Sequence, residues 1–162
     1  AKYASQAYVI VLGVNDLFGG NQPVGSVADI HEDPEQNAPT FGGYYAKIIQ
    51  KMKKIQPRAK FFLMTMPKEE KDDAVRTGKK EAHQKLLYDF AEKFDNTYVL
   101  DLYRYAPVYD TEFKRCMYMR GHLNPMGYFY TARLVSSYID FIIRQNPEDF
   151  AEVGFIGSNL HR

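Results

Sequence analysis

The chain has 162 residues, of which 45% are hydrophobic and 25% are charged, proportions typical of a single globular domain. Its formal net charge of +1 excludes the strongly basic surface that attracts nucleic acid, and no stretch is apolar enough to cross a bilayer. We therefore expect neither a nucleic-acid partner nor a membrane span. A single cysteine, Cys116, excludes an internal disulfide.

Three apolar runs predict buried strands, at Tyr8–Leu12, Phe61–Met66 and Tyr98–Leu102. Apolar residues at helical spacing predict three helices, which cover 44–55, about 82–94 and 125–145. The segment from Leu17 to Gly43 is predicted to be an irregular loop with one short helical turn, and Lys68–Lys80 a charged loop. Strands that alternate with amphipathic helices indicate an α/β fold, with a parallel sheet and helices on both faces.

We assign residues 1–145 to one α/β domain and residues 146–162 to a C-terminal tail. Three strands are few for a sheet that is covered on both faces, because such sheets usually contain about five or six. The sequence therefore predicts a domain that lacks two strands.

A lone histidine stands directly before the last predicted helix. Asn124 is placed to cap that helix and Pro125 to occupy its first turn, an arrangement that marks a helix start. His122 thus lies near the positive end of a helix dipole, which favours the neutral, basic form of the imidazole.

Polar residues also follow the first strand, at Asn15 and Asp16. Open parallel sheets bind ligands beyond the carboxyl ends of their strands. We therefore expect these residues and the loop that holds His122 to meet at one edge of the sheet.

Two sequence blocks carry a family resemblance. Residues 9–16 read VIVLGVND, and residues 121–128 read GHLNPMGY. Together they resemble the SGNH (GDSL-type) hydrolases, a flavodoxin-like three-layer α/β/α family of metal-independent esterases, lipases and other acyl hydrolases. The resemblance implies that Asn15 donates to the oxyanion and that His122 is the general base. It also implies that Gly13 forms a tight turn and that Gly13 and Asp16 lie beside the substrate. We expect Asp16 to brace that turn.

The chain resembles only the C-terminal half of the family. The family's Gly-Asp-Ser block, which supplies the nucleophilic serine and the first strand, has no counterpart here. The serines are Ser5, Ser26, Ser136, Ser137 and Ser158, and none follows an apolar strand. Only Ser26, in the long loop, is an alternative nucleophile, so we expect this chain alone to be incomplete as a catalyst.

The family usually carries an aspartate three residues before the histidine, where this chain has Met119. Two alternatives remain open. Either a backbone carbonyl orients the ring in a Ser-His dyad, or another carboxylate does so, Asp101, Asp110 and Glu112 being nearest in sequence.

The resemblance implies hydrolysis of a small acyl ester, for which an acylated carbohydrate is one candidate, with no cofactor and no metal. The alternative is a non-catalytic ligand-binding or assembly module. That module would associate through the exposed first strand, with a second copy or with a missing N-terminal segment.

Other polar candidates have plainer interpretations. His31-Glu32-Asp33 is interpreted as a solvated loop rather than a metal site, and His83, in a lysine-rich helix, as a surface residue. The tyrosines near the third strand and the histidine loop are expected to serve mainly in packing.

Overall fold

Three parallel strands form the central sheet in the computed structural model of the protein, which describes residues 5–151. The strands β1 (Ala7–Ile10), β2 (Lys60–Met64) and β3 (Thr97–Leu100) lie side by side in that order. The prediction of an α/β fold with a parallel sheet is confirmed. Each strand begins one residue before its predicted run and ends two residues before the run does, because the last two residues of each run belong to the segments that follow the strands.

Helices and a hairpin complete the described chain. The helices are α1 (Phe41–Ile55), α2 (Ala74–Lys93), α3 (Leu102–Tyr105), α4 (Thr111–Met117), α5 (Pro125–Gln145) and α6 (Pro147–Phe150). The antiparallel hairpin consists of β4 (Tyr118–Met119) and β5 (His122–Leu123), and it lies between α4 and α5.

Two predicted loops contain helical structure. The segment before α1 holds three helical turns rather than one: a π-helical turn at Asn15–Gly19 and 3-10 turns at Val27–Asp29 and Pro34–Gln36. The predicted charged loop ends early, because α2 begins at Ala74, where the Asp73 carboxylate caps the helix by accepting from the backbone N–H of Arg76 at 2.8 Å.

The two faces of the sheet have separate cores. Phe61 and Leu63 of β2 pack with α1 and α2, whereas the alternate residue Phe62 packs with the cluster that includes Ile142 of α5. The three strands lie side by side in chain order, and right-handed crossovers connect each strand to the next. The crossover helices α1 and α2 therefore lie on the same face of the sheet. The chain after β3 returns through α5 to cover the other face.

β1 is an edge strand with an open apolar side. It pairs with β2, and no other strand within residues 5–151 pairs with it. Val9 lies opposite Phe62 in the register, yet Val9 is 48% exposed and Phe62 only 3%. Val11 and Leu12 beyond the strand are also exposed. The helices on the α5 side of the sheet therefore cover β2 and leave β1 uncovered.

The predicted tail begins with ordered structure. Phe150, at the end of α6, packs against the rings of Phe62 and Tyr98 on the α5 side of the sheet. The rest of the predicted tail, residues 152–162, lies outside the described residues. Across residues 5–151, the structure contains no helix with the length and apolar character needed to span a membrane.

Candidate functional site

The block after β1 forms a tight turn that leads into a helical turn. Gly13 has a φ of +134°, a backbone conformation that side chains with a Cβ rarely adopt. Its carbonyl accepts from the N–H of Leu17, which is fully buried and anchors the π-helical turn. The predicted tight turn at Gly13 is confirmed.

Asn15 and Asp16 are both exposed at the start of this π-helical turn. In the described part of the chain, neither side chain makes a hydrogen bond. The backbone carbonyl of Asp16, not its carboxylate, braces the turn by accepting from the N–H of Gln22 at 2.9 Å. Asp16 therefore braces the turn through its backbone, and both side chains are free to meet a ligand.

His83 is buried, which corrects its interpretation as a surface residue. It is 0% exposed, its Nε2 lies 3.1 Å from the carbonyl oxygen of Leu12, and a Cβ added at Gly13 would lie 3.0 Å from the same nitrogen. Burial lowers the pKa of the imidazole to about 4, because its effect is larger than that of the Leu12 hydrogen bond, which raises the pKa. The ring is therefore neutral near pH 7. His83 thus packs against Leu12 and Gly13 and holds the turn that precedes Asn15.

His122 lies on the hairpin rather than in an irregular loop. The two residues between the strands, Arg120 and Gly121, have φ values of 52° and 83°, as a tight two-residue hairpin turn requires. The predicted cap is confirmed: Asn124 Oδ1 accepts from the Gly127 N–H at 2.9 Å, and its Nδ2 donates to the Cys116 carbonyl at 2.8 Å. Asn124 therefore ties α4 to α5 and fixes the hairpin between them.

No carboxylate in the described chain holds the imidazole of His122, which is exposed and makes no hydrogen bond there. Met119 lies directly opposite it in the hairpin register.

The three alternative carboxylates have other partners. The fully buried Asp101 accepts from Thr65, Gln84 and Tyr88. Asp110 caps α4, and Glu112 pairs with Arg115 at 2.8 Å. None of these three carboxylates therefore orients the ring of His122.

A cavity of about 450 Å³ lies beyond the carboxyl ends of the strands. Val14, from the block after β1, lines one side, and Gly121 and Leu123, which flank His122, line another. Met64 and Met66, at the end of β2, complete this apolar lining. Val14, next to Asn15, and Gly121 and Leu123, on either side of His122, therefore border the same cavity, whereas Asn15 and His122 themselves are not among its lining residues. The volume of the cavity lies within the range of small-molecule sites.

A charged cluster also lines this cavity, and the sequence analysis did not identify it. Its members are Glu69, Arg76, Lys80 and Lys114. The Glu69 carboxylate lies 2.5 Å from the Lys114 ammonium, 3.4 Å from that of Lys80 and 3.8 Å from the Arg76 guanidinium. The signal in the sequence is that Lys80 shares the helical spacing of His83, Leu87 and Phe90, the buried stripe of α2.

The carboxylate of Glu69 is ionised in this cluster. Burial opposes the ionisation, but the hydrogen bond from Lys114 and the positive charges of Lys80 and Lys114 outweigh it, so the pKa of Glu69 is lowered. Asp72, behind the cavity wall, follows the same pattern: burial opposes its ionisation, but the hydrogen bonds from Lys80, the Glu69 N–H and Arg76, together with the charge of Lys80, lower its pKa.

Serine hydroxyls are absent from the cavity lining that the described residues form. Ser26, the alternative nucleophile, caps the 3-10 turn Val27–Asp29, and its hydroxyl accepts from the Ala28 N–H at 3.2 Å. Ser136 and Ser137 lie on exposed positions of α5. Ser158 lies outside the described residues.

Aromatic side chains pack against one another beside the cavity. The rings of Tyr109 and Phe113 stack at 4.1 Å between centroids, and Tyr118 meets Tyr109 edge to face at 6.1 Å. Tyr109 and Tyr118 also line the cavity, so the tyrosines have both a packing role and access to a ligand. Between residues 5 and 151, no group of three or more His, Cys, Asp or Glu side chains could hold a metal ion.

Comparisons of the chain with protein-family models, with curated proteins and with solved structures find no match.

Proposed function

We propose that this chain is the base-bearing part of an SGNH-type ester hydrolase with a flavodoxin-like fold. The observation that carries the proposal is the shared cavity, which is bordered by Val14 on one side and by Gly121 and Leu123 on the other. The cavity lies where open parallel sheets bind their ligands, so one ligand bound there would lie next to both sequence blocks.

The open edge of β1 supports the same proposal. A flavodoxin-like sheet has the strand order 2-1-3-4-5. If β1, β2 and β3 correspond to the last three of these strands, the two remaining strands lie beside the outer edge of β1. That edge has no partner in the described chain, and Val9 is 48% exposed there. A serine at the end of the adjacent strand would then lie next to the turn that carries Asn15.

In this mechanism, His122 takes the proton of the serine hydroxyl as the oxygen attacks the ester carbonyl, and then returns it to the leaving alcohol. The Asn15 amide donates to the carbonyl oxygen as negative charge develops on it. Water repeats the sequence to release the acid and regenerate the serine. The exposure of Asn15 and His122, and the absence of intramolecular hydrogen bonds to either side chain in the described chain, are consistent with these roles.

The nucleophile is tested first with this chain alone and a serine-reactive fluorophosphonate. No covalent labelling is expected, because no described serine lines the cavity. Labelling of the chain would refute the proposal that its nucleophile comes from elsewhere, and mass spectrometry would then locate the modified serine.

The roles of Asn15 and His122 are tested in the native polypeptide that contains this chain with a Gly-Asp-Ser segment. Asn15→Ala should lower kcat for an aryl acetate by about 10²- to 10³-fold, as expected for one oxyanion donor. His122→Ala should abolish turnover and slow labelling by the fluorophosphonate. His31→Ala, at an exposed position far along the chain from both blocks, is the control. Full activity of His122→Ala would remove the central assignment.

A second candidate is a non-catalytic binding or assembly module, which the Met119–His122 pair favours. An unoriented imidazole opposite a methionine is a poorer base than one held by a carboxylate. This candidate predicts that the native polypeptide carries no Gly-Asp-Ser segment and does not react with the fluorophosphonate, although the cavity binds a ligand.

A further inference from the structure

The buried ammonium of Lys80 has a structural role. Lys80 is 2% exposed, and its Nζ donates to the Pro67 carbonyl at 2.9 Å and to the Asp72 carboxylate at 2.7 Å, with Glu69 as a third acceptor at 3.4 Å. All three N–H groups therefore have acceptors. Lys80 contributes charge to the cavity wall but has no donor left for a ligand.

Arg76 and Lys114 differ from Lys80, because each keeps unused donors at the cavity. The Nε of Arg76 donates to Asp72, while its guanidinium lies 4.3 Å from the ring centroid of Phe18 and 3.8 Å from Glu69. Among the described residues, the Lys114 ammonium donates only to Glu69. Both side chains are about a third exposed, so they lie where a ligand in the cavity can reach them.

The cluster, counted together with Asp72 behind the cavity wall, carries an excess of positive charge. Three cations, on Arg76, Lys80 and Lys114, face two carboxylates, on Glu69 and Asp72. Both carboxylates are already engaged by these cations. A ligand that enters the cavity therefore meets one uncompensated positive charge, which an anionic group would neutralise and a neutral group would leave in place.

The remaining lining of the cavity is mostly apolar. Val14, Phe18, Met64, Met66, Leu102 and Leu123 line it beside the rings of Tyr109 and Tyr118. Such walls favour an apolar or aromatic group rather than a strongly hydrated one.

We propose that this cavity binds a small amphipathic anion, whose apolar body lies against the methionine and aromatic walls and whose carboxylate pairs with Arg76 and Lys114. If the ligand is the substrate, the ester carries a carboxylate, and this part of the inference rests on the proposed function. The claim that the cavity binds an anion does not depend on catalysis.

The test is equilibrium binding to this chain of two probes with the same shape, 4-phenylbutyrate and its neutral amide, followed by isothermal titration calorimetry. The acid should bind about tenfold or more tightly than the amide, as expected for charge-assisted hydrogen bonds. Equal affinities, or tighter binding of the amide, would overturn the proposal.

Variants locate the anion within the cavity. Arg76→Gln and Lys114→Gln should each reduce the preference for the acid about tenfold. The matched controls are Lys85→Gln on α2 and Arg115→Gln on α4, which alter exposed ion pairs with Asp89 and Glu112 and should leave the preference unchanged.

Glu69→Gln is expected to increase the affinity for the acid, a result that misfolding cannot produce. Removing a carboxylate that competes for Arg76 and Lys114 should tighten binding of the acid and leave the amide unaffected. Weaker binding of the acid by this variant would contradict the proposed charge balance. Probe binding requires no turnover, so a failure of the esterase assignment would leave these binding results unchanged, and the two failures are distinguished.

Discussion

At the scale of single residues, the buried His83 determines the geometry of the turn that presents Asn15. Its Nε2 meets the Leu12 carbonyl, and its Nδ1 is buried without a hydrogen-bond partner in the described chain. A buried nitrogen without a hydrogen-bond partner costs folding free energy, and protonation of the ring would place an unpaired charge in the core. The turn beside the cavity is therefore sensitive to acid.

We predict that His83 makes the folded chain less stable as the pH falls from about 6.5 to about 4. The folded-state pKa of about 4 lies below the ordinary histidine value of 6.5, so in this window the unfolded chain binds more protons and unfolding is favoured. The full effect is roughly 3 kcal/mol, reached near the lower end of the window.

The measurement is urea unfolding between about pH 5 and pH 7, above the range in which carboxylates titrate. His83→Gln, which does not titrate and can still donate to the Leu12 carbonyl, should flatten the dependence of the unfolding free energy on pH. His31→Gln, at an exposed position, is the matched control. An unchanged slope in His83→Gln would show that another group is responsible.

Met119 gives a second prediction at this scale, since it lies opposite His122 in the hairpin. Directly opposed residues on an antiparallel pair have Cβ atoms about 4.5–5.5 Å apart, within reach of a carboxylate and an imidazole. Met119→Asp should therefore fix one tautomer of the His122 ring by accepting its N–H.

Nitrogen-15 NMR of the imidazole reports this tautomer. A single dominant tautomer is expected in Met119→Asp, and a mixture in the unmodified chain and in the neutral variant Met119→Asn. If Met119→Asp also gives a mixture, the register does not bring the two side chains into contact.

At the scale of elements, the start of α5 is held by close packing against the preceding turn. A Cβ at Gly127 would meet the carbonyl oxygen of Met117 and would lie 2.9 Å from Leu123 Cδ2. The hairpin that carries His122 can approach the helix only because residue 127 has no side chain.

We therefore expect Gly127→Ala to destabilise the chain by about 1–3 kcal/mol and to shift the NMR resonances of His122. The matched control is Gly78→Ala in α2, where a Cβ has nothing within 4 Å. Because alanine favours a helix over glycine, that variant should gain about 0.5–1 kcal/mol. Thermal or urea unfolding measures both changes, and equal stabilities for the two variants would contradict the packing argument.

At the scale of the whole molecule, the sheet is unevenly covered. The α1–α2 side is closed by a continuous core, whereas the outer edge of β1 exposes Val9, with Val11 and Leu12 beyond it. Unpaired backbone groups next to exposed apolar side chains favour the addition of another strand. We therefore expect a second copy of the chain to add a strand at that edge.

We predict that the chain alone self-associates as its concentration rises, and that Val9→Lys with Val11→Lys keeps it monomeric. Analytical ultracentrifugation over a range of concentrations measures the change. Val75→Lys, at a position 68% exposed on α2, is the control and should leave association unaffected. Association that survives the double substitution would assign the contact to another surface.

The sequence by itself determined the class of fold, the three parallel strands in outline and the bounds of α5. These depend on local patterns: apolar runs, helical spacing, and a capping asparagine before a proline. The sequence also indicated that Gly13 makes a tight turn and that the blocks on either side of the candidate site belong at one edge of the sheet.

Only the tertiary structure decided which polar residues are buried and what lines the cavity. His83 and Lys80 lie in a lysine-rich part of α2, which favours exposure. Their burial follows from hydrogen bonds to Leu12 and Asp72, contacts that the local pattern does not show. The pairing of Met119 with His122 depends on the backbone of Arg120 and Gly121. Burial, register and charge balance are properties of contacts between segments, so they are determined only when the chain folds.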